Sequence, residues 1–342
     1  MNRVAELTGL REFGLAERNL PEPGPGEVQV KVAAVGICGS DMHAFTEGSI
    51  GGMGCRYPMV IGHEPSGTVI KAGTGVTGWN YGDEAALEPA VYCYHCEFCM
   101  AGRHNVCANL RFMSSPDEPG FFRERVNLPV HNLIRLKPGI GLREGTLVEP
   151  LAVALHSLEF ARPQLGDTVV VIGTGPIGLL TIAALRLTGV SRIYAVEPLP
   201  HRRDLALAMG ADAVFPPAEA LAEILGATGR RGADAVFDCA AKGDSLNIAI
   251  ELARSYGRVV LTGIHSELEP PVPVHAMRRK EIALFSVRRS NHESELARDV
   301  LAAHAGKFAP LITHERPLEH INAAFEMLES YADGAGKVLI RP

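Results

Sequence analysis

The sequence predicts an α/β protein of two domains, a β-rich part followed by a doubly wound parallel sheet. Three observations carry this. The chain has 342 residues, about twice the roughly 150 of a typical domain. Its texture changes near residue 150, from short β-branched runs among glycines and prolines to apolar runs alternating with alanine- and leucine-rich stretches. A glycine-rich turn at 173–178 stands between one such apolar run and the helical stretch that follows it.

The elements follow in order. Val28-Gln29-Val30-Lys31-Val32 and Gly67-Thr68-Val69-Ile70 read as short strands between turn formers. Beyond 150, Val169-Val170-Val171-Ile172 reads as a buried strand, and residues 182–187, 203–209 and 246–253 read as helices. Repeated strand-then-helix order implies a parallel sheet covered by helices. Residues 259–263 and 281–287 supply late strands, 318–328 an amphipathic helix, and 337–340 a last strand. The expected division is 1–150 with 286–342 as one domain and 151–285 as the other, since the tail returns to the first part.

Composition narrows the function classes. Lysine plus arginine number 33 against 39 acidic residues, a net charge of −6, which argues against a general nucleic-acid binder. No apolar run approaches the roughly 20 residues of a membrane span, and the charged first twenty residues show no signal-peptide core. No nucleic-acid or membrane partner is expected, and a cytoplasmic location is.

Seven cysteines, at 38, 55, 93, 96, 99, 107 and 239, are an odd number with four in one short window. Intracellular chains rarely carry structural disulfides, so the four read as metal ligands. Cys93, Cys96, Cys99 and Cys107 give C-x2-C-x2-C-x7-C, a set of four thiolates that closes a tetrahedral zinc site and leaves no open position. The site is therefore read as structural. An iron–sulfur run is the rival, but Ala108 stands where the bacterial pattern has proline. His95 and His104 in this lobe are expected at the surface. Cys55 reads as a free thiol, and Cys239 as a small buried side chain.

A second donor set is dispersed. Gly36-Ile37-Cys38-Gly39-Ser40-Asp41-Met42-His43 and Gly62-His63-Glu64 lie on either side of an expected loop. Thiolate, imidazole and carboxylate make a workable zinc set with one position open. Glu149 is a further carboxylate that could reach the metal or its water.

Gly173-Thr174-Gly175-Pro176-Ile177-Gly178 is G-x-G-x-x-G between strand and helix. The first glycine permits the turn, the second admits a pyrophosphate, and the third lets helix and strand pack. The helix N-terminus attracts the phosphates. Glu197, about 20 residues on, suits ribose hydroxyls and repels a 2′-phosphate. NAD is thus expected over NADP, with Arg202 or Arg203 able to soften the preference.

Together these motifs resemble the zinc-dependent medium-chain dehydrogenases, in particular their sorbitol (polyol) dehydrogenase branch. The resemblance covers nearly the whole chain: GICGSDMH, YPMVIGHEPSGTV, the four-cysteine lobe, EPLAVALH, GTGPIG, Arg288-Arg289-Ser290-Asn291 and ITHERPLEHINAAFE. It implies a GroES-like catalytic domain and a Rossmann domain. It implies catalytic zinc on Cys38, His63 and Glu64, with Glu149 joining the metal or holding its water and the substrate. Ser40 and His43 match a proton relay, and Phe112, Ser115 and Arg288 match the lining of the substrate pocket. Glu197 and Arg202 match the adenosine-ribose positions. Ala44 falls where sorbitol enzymes often carry a tyrosine, and Arg289 where an aromatic is common.

The implied reaction is hydride transfer between a polyol or other secondary alcohol and NAD, giving a ketone or ketose. Threonine or 2,3-butanediol dehydrogenase activity would use the same fold. A non-catalytic zinc- and nucleotide-binding protein is the reading from another class, against which the second donor set argues. Members of the family are often tetramers or dimers, so a homo-oligomer is expected.

Overall fold

The computed structural model describes residues 1–342. The chain forms two compact units. One comprises Met1–Pro150, Asn291–Ala305 and Ile312–Pro342, the other Leu151–Ser290 and Gly306–Leu311. No helix is long and apolar enough to cross a membrane.

The first unit is built on a seven-stranded sheet. Its main path runs Leu133–Arg135, Glu84–Leu87, Glu64–Ala72, Glu27–Gly36, Lys337–Arg341 and Ile312–Pro317, and Arg125–Pro129 also pairs with Glu27–Gly36. The long strand Glu27–Gly36 organises the site. On one side Gly36 pairs with Glu64, and on the other it pairs with Leu339 of the last strand. Three stretches distant in sequence therefore meet at one end of this strand, just before Cys38.

Four phenylalanines fix the elements around that end. Phe13 of the N-terminal hairpin, Phe45 and Phe325 lie with ring centroids 4.8–5.8 Å apart, and Phe122 stands edge-on to Phe325 at 5.9 Å. Phe45 and Phe325 are fully buried, and burying such a ring stabilises by roughly 1.5–3 kcal/mol. Phe45 sits in helix Gly39–Glu47, so this cluster seats the helix that carries Ser40 and His43.

The second unit holds a six-stranded parallel sheet in the order Ala213–Phe215, Arg192–Val196, Thr168–Ile172, Ala233–Asp238, Ala253–Leu261, Ala283–Ser286. By sequence that is 3-2-1-4-5-6, the order of dinucleotide-binding folds, with the switch point between the first and fourth strands. Val169, Val170 and Val171 are fully buried, as a central strand covered on both faces requires.

Some element boundaries differ from those expected. The segment from the Cys38 motif into the start of the expected loop is a helix, Gly39–Glu47, closed by Gly48 in the left-handed region at φ 67°. The helix expected over 182–187 begins at Pro176. The helix expected to reach Ala253 stops at Leu252, and Ala253 already opens a strand. There Lys280 Nζ donates to the carbonyls of Ile250, Glu251 and Ala253, a tertiary cap on the helix end.

Candidate active site

Cys38, His63 and Glu64 present one sulfur, one nitrogen and one oxygen within 4.8 Å of one another. Cys38 precedes the first turn of helix Gly39–Glu47, and Glu64 begins a strand. Gly36 makes room for the carboxylate, because a Cβ there would lie 2.2 Å from Glu64 Oε2.

Behind these donors stands Asp41, fully buried. Its Oδ2 accepts from the Cys38 amide at 3.0 Å, its Oδ1 accepts from the Gly62 amide at 3.2 Å, and the same oxygen lies 3.3 Å from His63 Nδ1. One carboxylate thus orients two of the three donors and leaves His63 Nε2 facing the cluster. Carboxylate–histidine pairs of this kind fix the ring of a metal ligand. Burial would lower the His63 pKa, but the charges of Asp41 and Cys38 outweigh it and hold it well above the ordinary value. A metal ion must displace that proton.

Lys337 is the other group that the sequence reading did not single out. Its ammonium donates to both oxygens of Glu64, at 2.8 and 2.5 Å, and to the Ile37 carbonyl at 3.0 Å. Glu149 lies in the first turn of helix Val148–Ala161. Desolvation pushes its carboxyl up to about 8; the charges of His63 and Lys337 pull it down and that of Glu64 pushes it further up. The donor set suits zinc: three mixed ligands, a carboxylate in reserve, and room for an exchangeable oxygen.

Ser40 Oγ lies 3.4 Å from His63 Nε2, whereas His43 Nδ1 lies 2.9 Å from Glu47 Oε1 on the half-exposed side of the helix. The two hydroxyl and imidazole groups are thus held by different partners. The Phe112 ring lies 5.5 Å from that of His63, and Ser115 shares its turn, donating its amide to the Phe112 carbonyl at 3.1 Å. Arg288 belongs to the other unit, exposed two residues beyond strand Ala283–Ser286. Ala44, where sorbitol enzymes often carry a tyrosine, is fully buried in the core around Phe45.

In the cysteine lobe, sulfur–sulfur distances are 3.5 Å for Cys93–Cys107 and 3.9 Å for both Cys93–Cys99 and Cys96–Cys107. Four sulfurs about 2.3 Å from a tetrahedral centre stand about 3.8 Å apart, so the lobe fits a closed tetrathiolate ion. Hydrogen bonding from the His95 amide holds the Cys93 thiol down at about 5. His95 is exposed, as expected. His104 is half-buried: its ring packs edge-on to Tyr92 at 5.4 Å and to His292 at 4.4 Å. His156 is buried, its ring edge-on to Phe160 at 5.2 Å. Cys239 is half-buried, with its thiol pushed up to about 12 by desolvation.

The glycine loop occupies the switch point of the parallel sheet. Gly173 has φ 82°, and a Cβ on it would lie 2.7 Å from the Ala240 backbone. Gly175 precedes helix Pro176–Leu185, which opens with Pro176 and Ile177. Glu197 is buried; its Oε2 accepts from Thr174 N at 2.8 Å and Thr174 Oγ1 at 3.1 Å, and its Oε1 accepts from Leu199 N at 3.0 Å. A carboxylate has about four acceptor sites, so Glu197 keeps room on Oε1 for a ribose hydroxyl. Arg203 is spent on the carbonyls of Glu197 and Pro198, while Arg202 approaches Gly175. The loop, the helix N-terminus and the carboxylate fit a dinucleotide.

Residues 24–138 match the alcohol dehydrogenase GroES-like domain, and residues 176–303 match the zinc-binding dehydrogenase domain. The chain belongs to the zinc-binding alcohol dehydrogenase family. It is therefore an oxidoreductase of the medium-chain class, with a GroES-like and a Rossmann part, and with zinc and NAD as its family's cofactors. The sorbitol dehydrogenase of Bos taurus is 34% identical over 97% of this chain and 94% of its own. A probable D-xylulose reductase A of Aspergillus clavatus is 36% identical over 95% of this chain and 92% of its own. An alcohol dehydrogenase of Escherichia coli, solved in complex with NADH, superposes with a TM-score of 0.90 at 29% identity, covering 100% of this chain and 99% of its own.

Proposed function

We propose that this dehydrogenase interconverts a polyol, or a closely related secondary alcohol, and its ketose or ketone with NAD. The observation that carries the reading is the convergence of Cys38, His63 and Glu64 on one point, braced by Asp41. The sorbitol and xylulose names of its relatives support the polyol class.

When bound, zinc supplies Lewis acidity toward the alcohol oxygen and NAD supplies the hydride acceptor. The chain's residues do the rest. Asp41 fixes the Cys38 backbone and the His63 ring. Ser40 and His43 are assigned to the proton relay: Ser40 Oγ would accept the alcohol proton as it gives up its own, and His43, half-exposed beside Glu47, would release one to solvent. Phe112 walls the site beside His63, with Ser115 and Arg288 assigned to the substrate, and Glu149 holds water or substrate at the metal. Glu197 binds the adenosine ribose, the first turn of helix Pro176–Leu185 binds the pyrophosphate, and Arg202 lies beside it.

The zinc chemistry is assigned to residues 1–150 with 286–342, and dinucleotide binding to 151–285. Two features extend the reading. Strand Ala283–Ser286 ends its sheet with one edge unpaired, and an open edge is a template for a second copy; we take the enzyme to be a homodimer or homotetramer built there. Metal-thiolate chemistry needs reduced sulfur, which supports a cytoplasmic location. The test is a panel of polyols, threonine and 2,3-butanediol with NAD, followed by NADH absorbance. Turnover of a polyol well above the other two is expected; turnover of threonine or the diol alone would move the enzyme to a neighbouring branch.

A further inference from the structure

Glu64 and Lys337 are both enclosed, with side chains 0% and 1% exposed. The ammonium has three hydrogens, and all three are used: two toward the oxygens of Glu64 and one toward the Ile37 carbonyl. Ile37 is the residue before Cys38. A single side chain thus grips one metal-site donor directly and the peptide leading into another.

The sheet explains how it arrives there. The last strand pairs antiparallel with Glu27–Gly36, Leu339 opposite Gly36 and Ile340 opposite Val35. The pairing continues one step further, with the Ile37 amide donating to the Val338 carbonyl at 2.9 Å. Lys337 is then the next residue along, level with Cys38. Across the same strand Glu64 pairs with Gly36, and the missing side chain of Gly36 leaves the space the carboxylate fills. The acidic side chains Cys38, Asp41, Glu64 and Glu149 gather here with Lys337 as the lysine among them.

We propose that Lys337 is a positioning residue for the metal: it holds the Glu64 carboxylate and the Cys38 peptide in the arrangement that zinc requires, so that the last strand of the chain sets the affinity of the site. This rests on the reading of Cys38, His63 and Glu64 as metal ligands. An ion pair that served folding alone would be replaceable by an apolar side chain of similar length without consequence for metal binding, as buried pairs often are. Partners that hold a ligating carboxylate typically contribute about 10–100-fold to metal affinity.

The test is zinc affinity of the full chain, by chelator competition, with cobalt substitution to report the catalytic site by its absorption. In Lys337→Met the catalytic-site affinity is expected to fall about 10–100-fold, while the tetrathiolate site stays loaded as an internal reference. The double variant Lys337→Met/Glu64→Gln is expected to fall below Glu64→Gln by less than Lys337→Met falls below the parent, because part of the lysine's hold goes through that carboxylate and part through the Ile37 carbonyl. Gly36→Ala reaches the same contact from the other side, leaving Lys337 in place while crowding Glu64 Oε2, and it decides the matter if Lys337→Met does not fold. Its affinity is expected to fall too.

The proposal is overturned if Lys337→Met, or Gly36→Ala in its place, binds catalytic zinc as tightly as the parent. It is also overturned if the losses in the double variant add. A parent chain that binds metal at the cysteine lobe alone would instead overturn the reading of the catalytic site.

Discussion

Gly178→Ala is the sharpest probe of the dinucleotide loop. A Cβ at residue 178 would fall 1.9 Å from the Gly173 carbonyl oxygen, whereas real Cβ atoms essentially never come within 3.0 Å. The obstacle is backbone, so the first turn of helix Pro176–Leu185 and the turn at Gly173 must part by at least 1.1 Å. Gly173 has little freedom to retreat, being packed against Ala240. A displacement of about 1 Å in a positioning element costs on the order of 100-fold, or about 2.7 kcal/mol of binding. The variant should therefore bind NAD about 100-fold more weakly by calorimetry while keeping its zinc, since the cysteine lobe and the Cys38, His63 and Glu64 set lie in the other unit. Gly226→Ala is the control: its Cβ meets nothing within 4 Å, and its NAD affinity should match the parent. If Gly178→Ala binds NAD within about threefold of the parent, the glycine loop is not the pyrophosphate cradle.

Three further outcomes are expected. Glu197→Ala should raise kcat/KM for NADP relative to NAD by about 10–100-fold, an effect of roughly 1.4–2.8 kcal/mol, measured with both cofactors on one substrate. Asp41→Asn should weaken zinc at the catalytic site by about 10–100-fold, read by metal analysis after dialysis against a chelator, with the cysteine lobe unaffected. Asp234 tests the pH dependence of stability. Desolvation would push its carboxyl up, but hydrogen bonds from Arg231, the Thr168 amide and Arg254 hold it well below the ordinary range. A depressed carboxyl contributes its full stability above the unfolded value near 3.9 and loses it as pH falls below that toward the folded value. Asp234→Asn should thus cost about 1–3 kcal/mol at neutral pH and progressively less in acid, by denaturant titration; an equal loss at both would refute the linkage.

The motifs that carry chemistry were legible because they are local. Cys38, Ser40 and His43 lie within six residues, His63 and Glu64 are adjacent, and the four thiols share one lobe. Asp41 was within view, three residues after Cys38, where its carboxylate reaches the Cys38 amide; its grip on the Gly62 amide and the His63 ring needs the fold. Lys337 had no local signal. It stands 273 residues from Glu64, and only strand pairing at the end of the sheet joins them. The same holds for the helix that ends at Leu252, whose stop comes from Lys280 rather than from a glycine or proline beside it. Helix Gly39–Glu47 was not singled out, although Gly48 in the left-handed region is its natural stop. The half-burial of His104 was not legible, because saturation of the four thiolates says nothing of the tyrosine and histidine rings that pack on it.

The central claim is that an exchangeable zinc site on Cys38 drives NAD-dependent oxidation of a polyol, separately from a closed site in the cysteine lobe. Zinc content and NADH formation, measured together on the parent and on Cys38→Ser, test it most directly. The parent should carry about two zinc ions per chain and reduce NAD with a polyol. Cys38→Ser should keep the tetrathiolate ion, lose the other, and lose turnover. A Cys38→Ser enzyme that still oxidises the polyol at the parent rate after losing that zinc would contradict the account.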